Sequence, residues 1–138
     1  MKKIFCLLIL CTVSLVFSGC ATAPQKTETV PLPRKIKTGF FIDKGSRGGG
    51  VILLARLLKY SPQIDLTLLT GEDLRKGKLK ELELVVMPGG SSHLQMKSMG
   101  PEGVEALREF IRQGGSYVGI CAGFHITLNR PERARIFP

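Results

Sequence analysis

The sequence predicts an α/β domain built on an open parallel sheet of about four strands, with helices on both faces. Short apolar runs alternate with segments of helical periodicity or polar character. The connections between the runs are long enough for parallel crossovers. The run from Leu84 to Met87 is apolar at every position, which is typical of a central strand covered on both faces.

The first half of the pattern contains two strands and one helix. Residues Thr38 to Ile42 form an apolar run that predicts the first strand, and a glycine-rich loop follows over residues 43–50. Apolar side chains within residues 51–58 recur at the spacing of one helical face. Pro62 lies just after this helix, and residues Ile64 to Leu69 predict the second strand.

The second half continues the alternation. The polar segment over residues 71–80 has room for a helical turn, and the strand at 84–87 leads into a Pro-Gly-Gly loop. Pro101 suits the first position of a helix. Residues Ser116 to Ile120 predict the fourth strand, and Cys121 to Asn129 begin another helix. Binding sites in such sheets lie beyond the carboxyl ends of the strands, so the candidate loops are 43–50, 88–92 and 119–123.

The N-terminal residues have the features of an export signal. Lys2 and Lys3 precede an apolar stretch from Ile4 to Val16, and small residues then lead into Cys20. This arrangement resembles the lipobox of bacterial lipoproteins, which implies cleavage before Cys20 and acylation of that cysteine. We therefore expect a signal peptide over residues 1–19 and a lipid-anchored protein of the bacterial cell envelope, facing the periplasm or the exterior. The alternatives are an uncleaved anchor and a signal without lipidation.

The residues after the signal predict a flexible tether over 20–36 and a folded domain over 37–138. The tether is rich in Pro and Thr and shows neither helical nor strand periodicity. The whole chain carries 20 Lys and Arg against 11 Asp and Glu. These basic residues are scattered and are not interleaved with aromatic ones, which argues against a nucleic-acid partner and allows weak attraction to anionic lipid head groups.

The segment Gly119 to Gly123 has the form G-x-C-x-G, at a point where a strand must turn directly into a helix. That context is typical of a nucleophile elbow, whose central residue is strained and whose flanking positions must be small. The Cys121 thiol would project above the sheet edge beside free N–H groups, which favour the thiolate. In the alternative, the glycines only make a tight turn and Cys121 is an inert core residue.

Two backbone N–H groups are candidate donors to an oxyanion. Ala122 directly follows the nucleophile, and Gly90 lies in the Pro-Gly-Gly loop after the preceding strand. A glycine in that loop lets the backbone approach a substrate carbonyl without a side chain in the way.

The stretch from Val85 to Ile126, which begins VVMPGG and ends GGSYVGICAGFHI, resembles the class I glutamine amidotransferase-like superfamily. It most closely resembles the group named after the N-terminal domain of biotin-protein ligase, and the likeness is looser back to Thr38. The resemblance implies a flavodoxin-like sheet, Cys121 as the nucleophile and the Gly90 region as the oxyanion loop. It also implies a small-molecule or amide substrate and an ancestry among cysteine-dependent amidotransferases or hydrolases.

A thiol nucleophile needs a base, and in amidotransferases the histidine and its acidic partner come from later strands. No histidine follows His125 in this sequence. His93 and His125 are candidates for the base, and Asp43 is a candidate to accept the Cys121 proton. All three also fit ordinary surface or turn positions.

The sequence therefore predicts a Cys nucleophile elbow whose catalytic histidine is missing, in a domain that is incomplete at its C-terminal end. Weak or no amidase activity is the expected result. One alternative is an active cysteine hydrolase or amidotransferase that uses His93, His125 or a histidine from a truncated downstream segment. The other is a non-catalytic ligand-binding or assembly lipoprotein.

The motifs predict neither a cofactor nor a metal. The loop GSRGGG lacks the GK[ST] ending of a phosphate-binding loop, and its glycines do not have the G-x-G-x-x-G spacing. The four cysteines form no C-x-x-C pair, which argues against a zinc ribbon or a redox motif.

Overall fold

A computed structural model describes residues 34–128. It contains four strands: β1 (Ile36–Phe41), β2 (Ile64–Leu69), β3 (Leu84–Met87) and β4 (Ser116–Gly119). They form one sheet in the order β2-β1-β3-β4, and every pairing is parallel. The predicted α/β, flavodoxin-like sheet is thereby confirmed. Because the strands are parallel, all four carboxyl ends lie at the same edge of the sheet.

The helices follow the predicted alternation. They are α1 (Gly49–Tyr60), α2 (Gly71–Arg75), α3 (Ser92–Arg112) and α4 (Ala122–Thr127), with a 3-10 turn at Lys78–Glu81 between α2 and β3. A capping box begins α2, in which the Thr70 side chain accepts from the Asp73 N–H and the Asp73 carboxylate accepts from the Thr70 N–H. Within residues 34–128, no helix combines the length and the apolar character needed to cross a membrane.

The core lies on both faces of the sheet because successive side chains of β1 point in opposite directions. Phe40 packs with Val51 of α1 and with Val86, while Phe41 packs with Met87 on the face covered by α3 and α4. Both phenylalanines are fully buried. Burial of each such side chain stabilises the fold by about 1.5–3 kcal/mol.

The first strand begins earlier than predicted. Ile36, not Thr38, is its first residue, and it pairs with Ile64 while its N–H donates to the Gln63 carbonyl at 2.8 Å. The polar Lys37 interrupts the apolar pattern between Ile36 and Thr38 and hid this extension. The strand ends at Phe41, one residue before the predicted end.

Helix α3 was also predicted too short. It begins at Ser92, where the Ser91 side chain accepts from the Leu94 N–H, and it is broken at Gly100 (φ 67°, ψ 174°). Pro101 starts only the second half of this helix, as its fixed φ allows. The first half escaped prediction because its buried face includes the polar Gln95.

An ion pair fixes the entry to β1. Both Nη atoms of Arg34 lie 2.7 Å from the Glu83 carboxylate oxygens, and the Lys37 N–H donates to the same carboxylate at 3.1 Å. Hydrogen bonds from Arg34 and Lys37 lower the pKa of Glu83 to about 2. The predicted signal peptide, Cys20 and most of the tether lie outside the described residues.

Candidate active site at the carboxyl edge of the sheet

The turn from β4 into α4 is made by two residues, Ile120 and Cys121. Cys121 has φ 51° and ψ −105°, and it is the one non-glycine residue with positive φ in residues 34–128. Such a conformation costs an L-residue on the order of 1–3 kcal/mol and is concentrated at functional sites. Cys121 thus occupies the strained turn that the G-x-C-x-G pattern predicts.

The flanking glycines have no room for a side chain. A Cβ on Gly119 would lie 2.8 Å from the Gly123 carbonyl carbon and from the Phe124 nitrogen. A Cβ on Gly123 would lie 2.2 Å from the Met87 carbonyl oxygen at the end of β3. The small residues two before and two after Cys121 are therefore a steric requirement of the elbow.

The Cys121 thiol is free and exposed to solvent. This contradicts the alternative in which Cys121 is an inert residue of the core. Directly after it, the Ala122 N–H is the first of α4, a position with no acceptor inside the helix. Two other N–H groups of the turn have acceptors, since the Ile120 N–H donates to the Met87 carbonyl at 2.9 Å and the Gly123 N–H to the Pro88 carbonyl at 3.2 Å.

The Pro-Gly-Gly loop lies against the nucleophile. A Cβ on Gly89 would be 3.6 Å from the Cys121 Cβ, which is ordinary contact distance. A side chain on Gly89 would therefore meet Cys121, whereas the sequence singled out Gly90. Within residues 34–128, neither the Gly89 N–H nor the Gly90 N–H donates a hydrogen bond to the protein.

Gly90 instead packs against the loop that follows β1. The Arg47 N–H donates to the Gly89 carbonyl at 3.3 Å, and the Ser91 N–H donates to the Gly45 carbonyl at 2.8 Å. Gly90 has φ 133°, and a Cβ on it would lie 2.0 Å from the Gly45 oxygen. Backbone hydrogen bonds thus join the loop after β1 to the Pro-Gly-Gly loop.

Two supporting side chains were not predicted. Gln95 is fully buried in α3, and its Nε2 donates to the Pro88 carbonyl at 3.0 Å, which also accepts from Gly123. Tyr117 donates to the Gly123 carbonyl at 2.7 Å, and burial raises the pKa of its hydroxyl. These bonds fix the Pro-Gly-Gly loop and the first turn of α4 in place.

The family model described as biotin-protein ligase, N terminal, matches residues 54–132, which is more than half of the chain. The chain belongs to this family. The match includes the Pro-Gly-Gly loop and the whole elbow from Gly119 to Gly123, and it supports membership of the class I glutamine amidotransferase-like superfamily.

A solved structure shows the same fold. A candidate peptidase E from Listeria monocytogenes EGD-e superposes with a TM-score of 0.55 at 18% sequence identity. The alignment covers 68% of this chain and 50% of that one, so the chain spans about half the length of the Listeria protein. No curated protein matches the sequence.

Both candidate histidines lie at the surface in this member of the biotin-protein ligase N-terminal family. His93 is exposed at the start of α3, and His125 is exposed in α4 with its ring edge-on to Phe124 at 6.4 Å. The backbone N–H of His125 donates to the Cys121 carbonyl at 2.9 Å, as expected one helical turn later. Neither imidazole makes a hydrogen bond to Cys121 in the described part of the chain.

Asp43 is engaged elsewhere. One carboxylate oxygen accepts from the Gly71 N–H at 2.9 Å and from the Ser98 hydroxyl, and the other accepts from the Lys44 N–H at 2.6 Å. Burial raises the pKa of Asp43, but these three hydrogen bonds together outweigh burial and hold the pKa below its ordinary value. Asp43 therefore ties the β1 loop to α2 and α3 as an ionised carboxylate.

A metal centre is not formed by the described residues. Across 34–128, no three His, Cys, Asp or Glu side chains come together in a group able to hold a metal ion. The chemistry that this site offers is that of an exposed thiol on a strained turn, beside backbone N–H groups.

Proposed function

We propose that this protein is a membrane-tethered lipoprotein whose amidotransferase-like domain presents Cys121 as a nucleophile without a complete triad. Its activity on amides is weak or nil. The observation that carries the proposal is the backbone of Cys121, an exposed non-glycine residue with φ 51° between a strand and a helix. Maintaining that conformation costs stability, and residues strained in this way are concentrated at functional sites.

The proposed chemistry is nucleophilic attack on an acyl carbon. The Cys121 thiol first loses its proton to solvent. The thiolate sulfur then forms a bond to the carbonyl carbon, and the carbonyl electrons move onto oxygen. The Ala122 N–H and an N–H from Gly89 or Gly90 donate to that oxyanion. When the tetrahedral intermediate collapses, the leaving group departs with the bond electrons and a thioester remains on Cys121. Water then has to hydrolyse the thioester.

The missing base limits this sequence of steps. An amine is a poor leaving group unless it receives a proton, and water is a poor nucleophile unless it loses one. General acid–base catalysis typically contributes about 10²–10⁴-fold to each such transfer. With His93 and His125 not bonded to the thiol, we infer that activated acyl groups load onto Cys121, whereas amides turn over slowly or not at all.

An acylation assay with p-nitrophenyl acetate tests the nucleophile. We expect a rapid burst of about one equivalent of p-nitrophenolate, because acylation outpaces deacylation, and a single acetyl group on Cys121 by mass spectrometry. The matched control moves the thiol to the exposed end of α1 in the double variant Cys121→Ala with Lys59→Cys. An equal burst from this control would assign the reactivity to any exposed thiol and favour the non-catalytic alternative.

Ammonia release from glutamine and simple amides tests the missing triad. We expect the wild type to release ammonia no faster than Cys121→Ser, within error. Repeated turnover by the wild type, abolished by Cys121→Ser, would instead establish the active-enzyme alternative.

The lipid anchor is supported by the residues from Lys2 to Cys20. When the full chain is expressed in a bacterium with labelled palmitate, we expect label in the wild type and none in Cys20→Ala. Equal labelling of both proteins, or of neither, would contradict the proposed anchor.

A further inference from the structure

A second cleft lies at the same edge of the sheet, beyond the carboxyl ends of β1 and β2. We name it the β1–β2 cleft. Its volume is about 520 Å³, within the range of roughly 300–1,000 Å³ that small-molecule sites occupy. Cys121 does not line it. The charged residues of its wall are Asp43, Lys44, Glu72, Arg75 and Lys97.

The two carboxylates of the cleft are already compensated. Glu72 pairs with Lys76, which lies outside the lining, at 2.6 Å, and hydrogen bonding to Lys76 lowers the pKa of Glu72. Asp43 accepts hydrogen bonds from Gly71, Ser98 and Lys44. Both carboxylates therefore have partners within the protein and do not require a cationic ligand.

The three cations of the cleft are compensated less completely, since Lys44 attracts Asp43 and Arg75 attracts Glu72 only from beyond ion-pair distance. Among residues 34–128, no carboxylate lies within ion-pair distance of Lys44, Arg75 or Lys97. One Nη of Arg75 donates to the carbonyls of Ser98 and Met99 at 2.7 and 2.8 Å, which fixes the guanidinium, and its other N–H groups donate to no acceptor among residues 34–128. These carbonyls are neutral, so they do not cancel the charge of Arg75, and the attraction between Arg75 and Glu72 acts from beyond ion-pair distance.

We propose that the β1–β2 cleft binds a small organic anion through a phosphate or carboxylate group. The fixed guanidinium of Arg75 offers the planar fork that matches two oxyanion oxygens. Lys44 and Lys97 add mobile point charges from the β1 loop and from α3. The cleft lies where open α/β sheets bind ligands. Its lining carries three cationic and two anionic side chains, and a bound anion would balance the remaining positive charge.

Calorimetric titration of the full chain with pyrophosphate and, separately, with citrate tests the proposal at about 0.15 M salt, where long-range attraction is screened. We expect saturable binding of at least one probe at one site. Lys44→Ala and Lys97→Ala each remove one cationic partner of the anion, and each should raise the Kd about tenfold. Lys59→Ala is the matched control, because it removes the same charge from the exposed end of α1, and it should leave affinity unchanged.

Soluble metabolites and anionic lipid head groups share this chemistry, and a vesicle arm separates them. Vesicles of phosphatidylglycerol replace pyrophosphate, with phosphatidylcholine vesicles as the blank. Vesicle binding that is lost in Lys44→Ala, in the absence of pyrophosphate binding, assigns the anion to a head group and supports the cleft. The proposal is overturned if neither probe saturates and vesicle binding is either absent or unchanged in Lys44→Ala. It is also overturned if Lys44→Ala, Lys97→Ala and Lys59→Ala weaken binding equally.

Discussion

Replacing Gly123 with alanine is expected to lower the free energy of unfolding by about 3 kcal/mol. The added Cβ would lie 2.2 Å from the carbonyl oxygen of Met87 and 2.8 Å from its carbonyl carbon. Both atoms are main chain of a central strand, so no rotamer change relieves the contact. Gly123 is also held by its own hydrogen bonds, to Pro88 and from Tyr117. The first turn of α4 must therefore move away from β3 and carry Cys121 with it.

Urea unfolding followed by far-UV circular dichroism measures this loss, and the acetylation burst reports the elbow in the same samples. Gly50→Ala is the matched control. Gly50 lies in α1, and a Cβ added there would have no atom within 4 Å, so alanine at this position should be neutral or add up to about 1 kcal/mol. Wild-type stability and a full burst in Gly123→Ala would contradict the packing of α4 on β3.

The sequence predicted the fold correctly where buried positions are occupied by apolar residues. The strands Ile64–Leu69 and Leu84–Met87 have the bounds predicted from their apolar runs. Prediction failed where a polar group is buried and satisfied by the main chain. Gln95 is the example, because its side chain bonds to Pro88 inside the core and interrupts the apolar stripe that would have marked the first half of α3.

The candidate site could be predicted from the sequence only in part. The elbow at Cys121 is a local steric device, so residues 119–123 were enough to predict it. The packing of Gly90 on Gly45 and the position of Gly89 near Cys121 involve segments far apart in sequence. Sequence patterns describe local structure and do not show which distant segments meet. For that reason the sequence did not indicate that Gly89, and not only Gly90, lies near Cys121. The cations of the β1–β2 cleft escaped notice for the same reason.

The adjacent glycines of the Pro-Gly-Gly loop should respond to alanine in opposite ways. In Gly90→Ala the Cβ would overlap the Gly45 oxygen at 2.0 Å and sit 2.8 Å from the Arg47 nitrogen, at φ 133°. The strained backbone alone costs on the order of 1–3 kcal/mol, and the clash separates the two loops. We expect a loss of about 3 kcal/mol in the free energy of unfolding, together with loss of the acetylation burst.

Gly89→Ala places its methyl group 3.6 Å from the Cys121 Cβ, at an ordinary contact distance and without a positive φ. Its stability should stay within about 0.5 kcal/mol of the wild type. Its acylation rate should fall roughly tenfold, because the methyl group crowds the approach of an acyl carbon to the thiol. Urea unfolding and the burst rate, measured on both variants, separate a residue that holds the loop from one that faces the nucleophile. If Gly89→Ala unfolds the protein and Gly90→Ala does not, the assignment of these two roles is wrong.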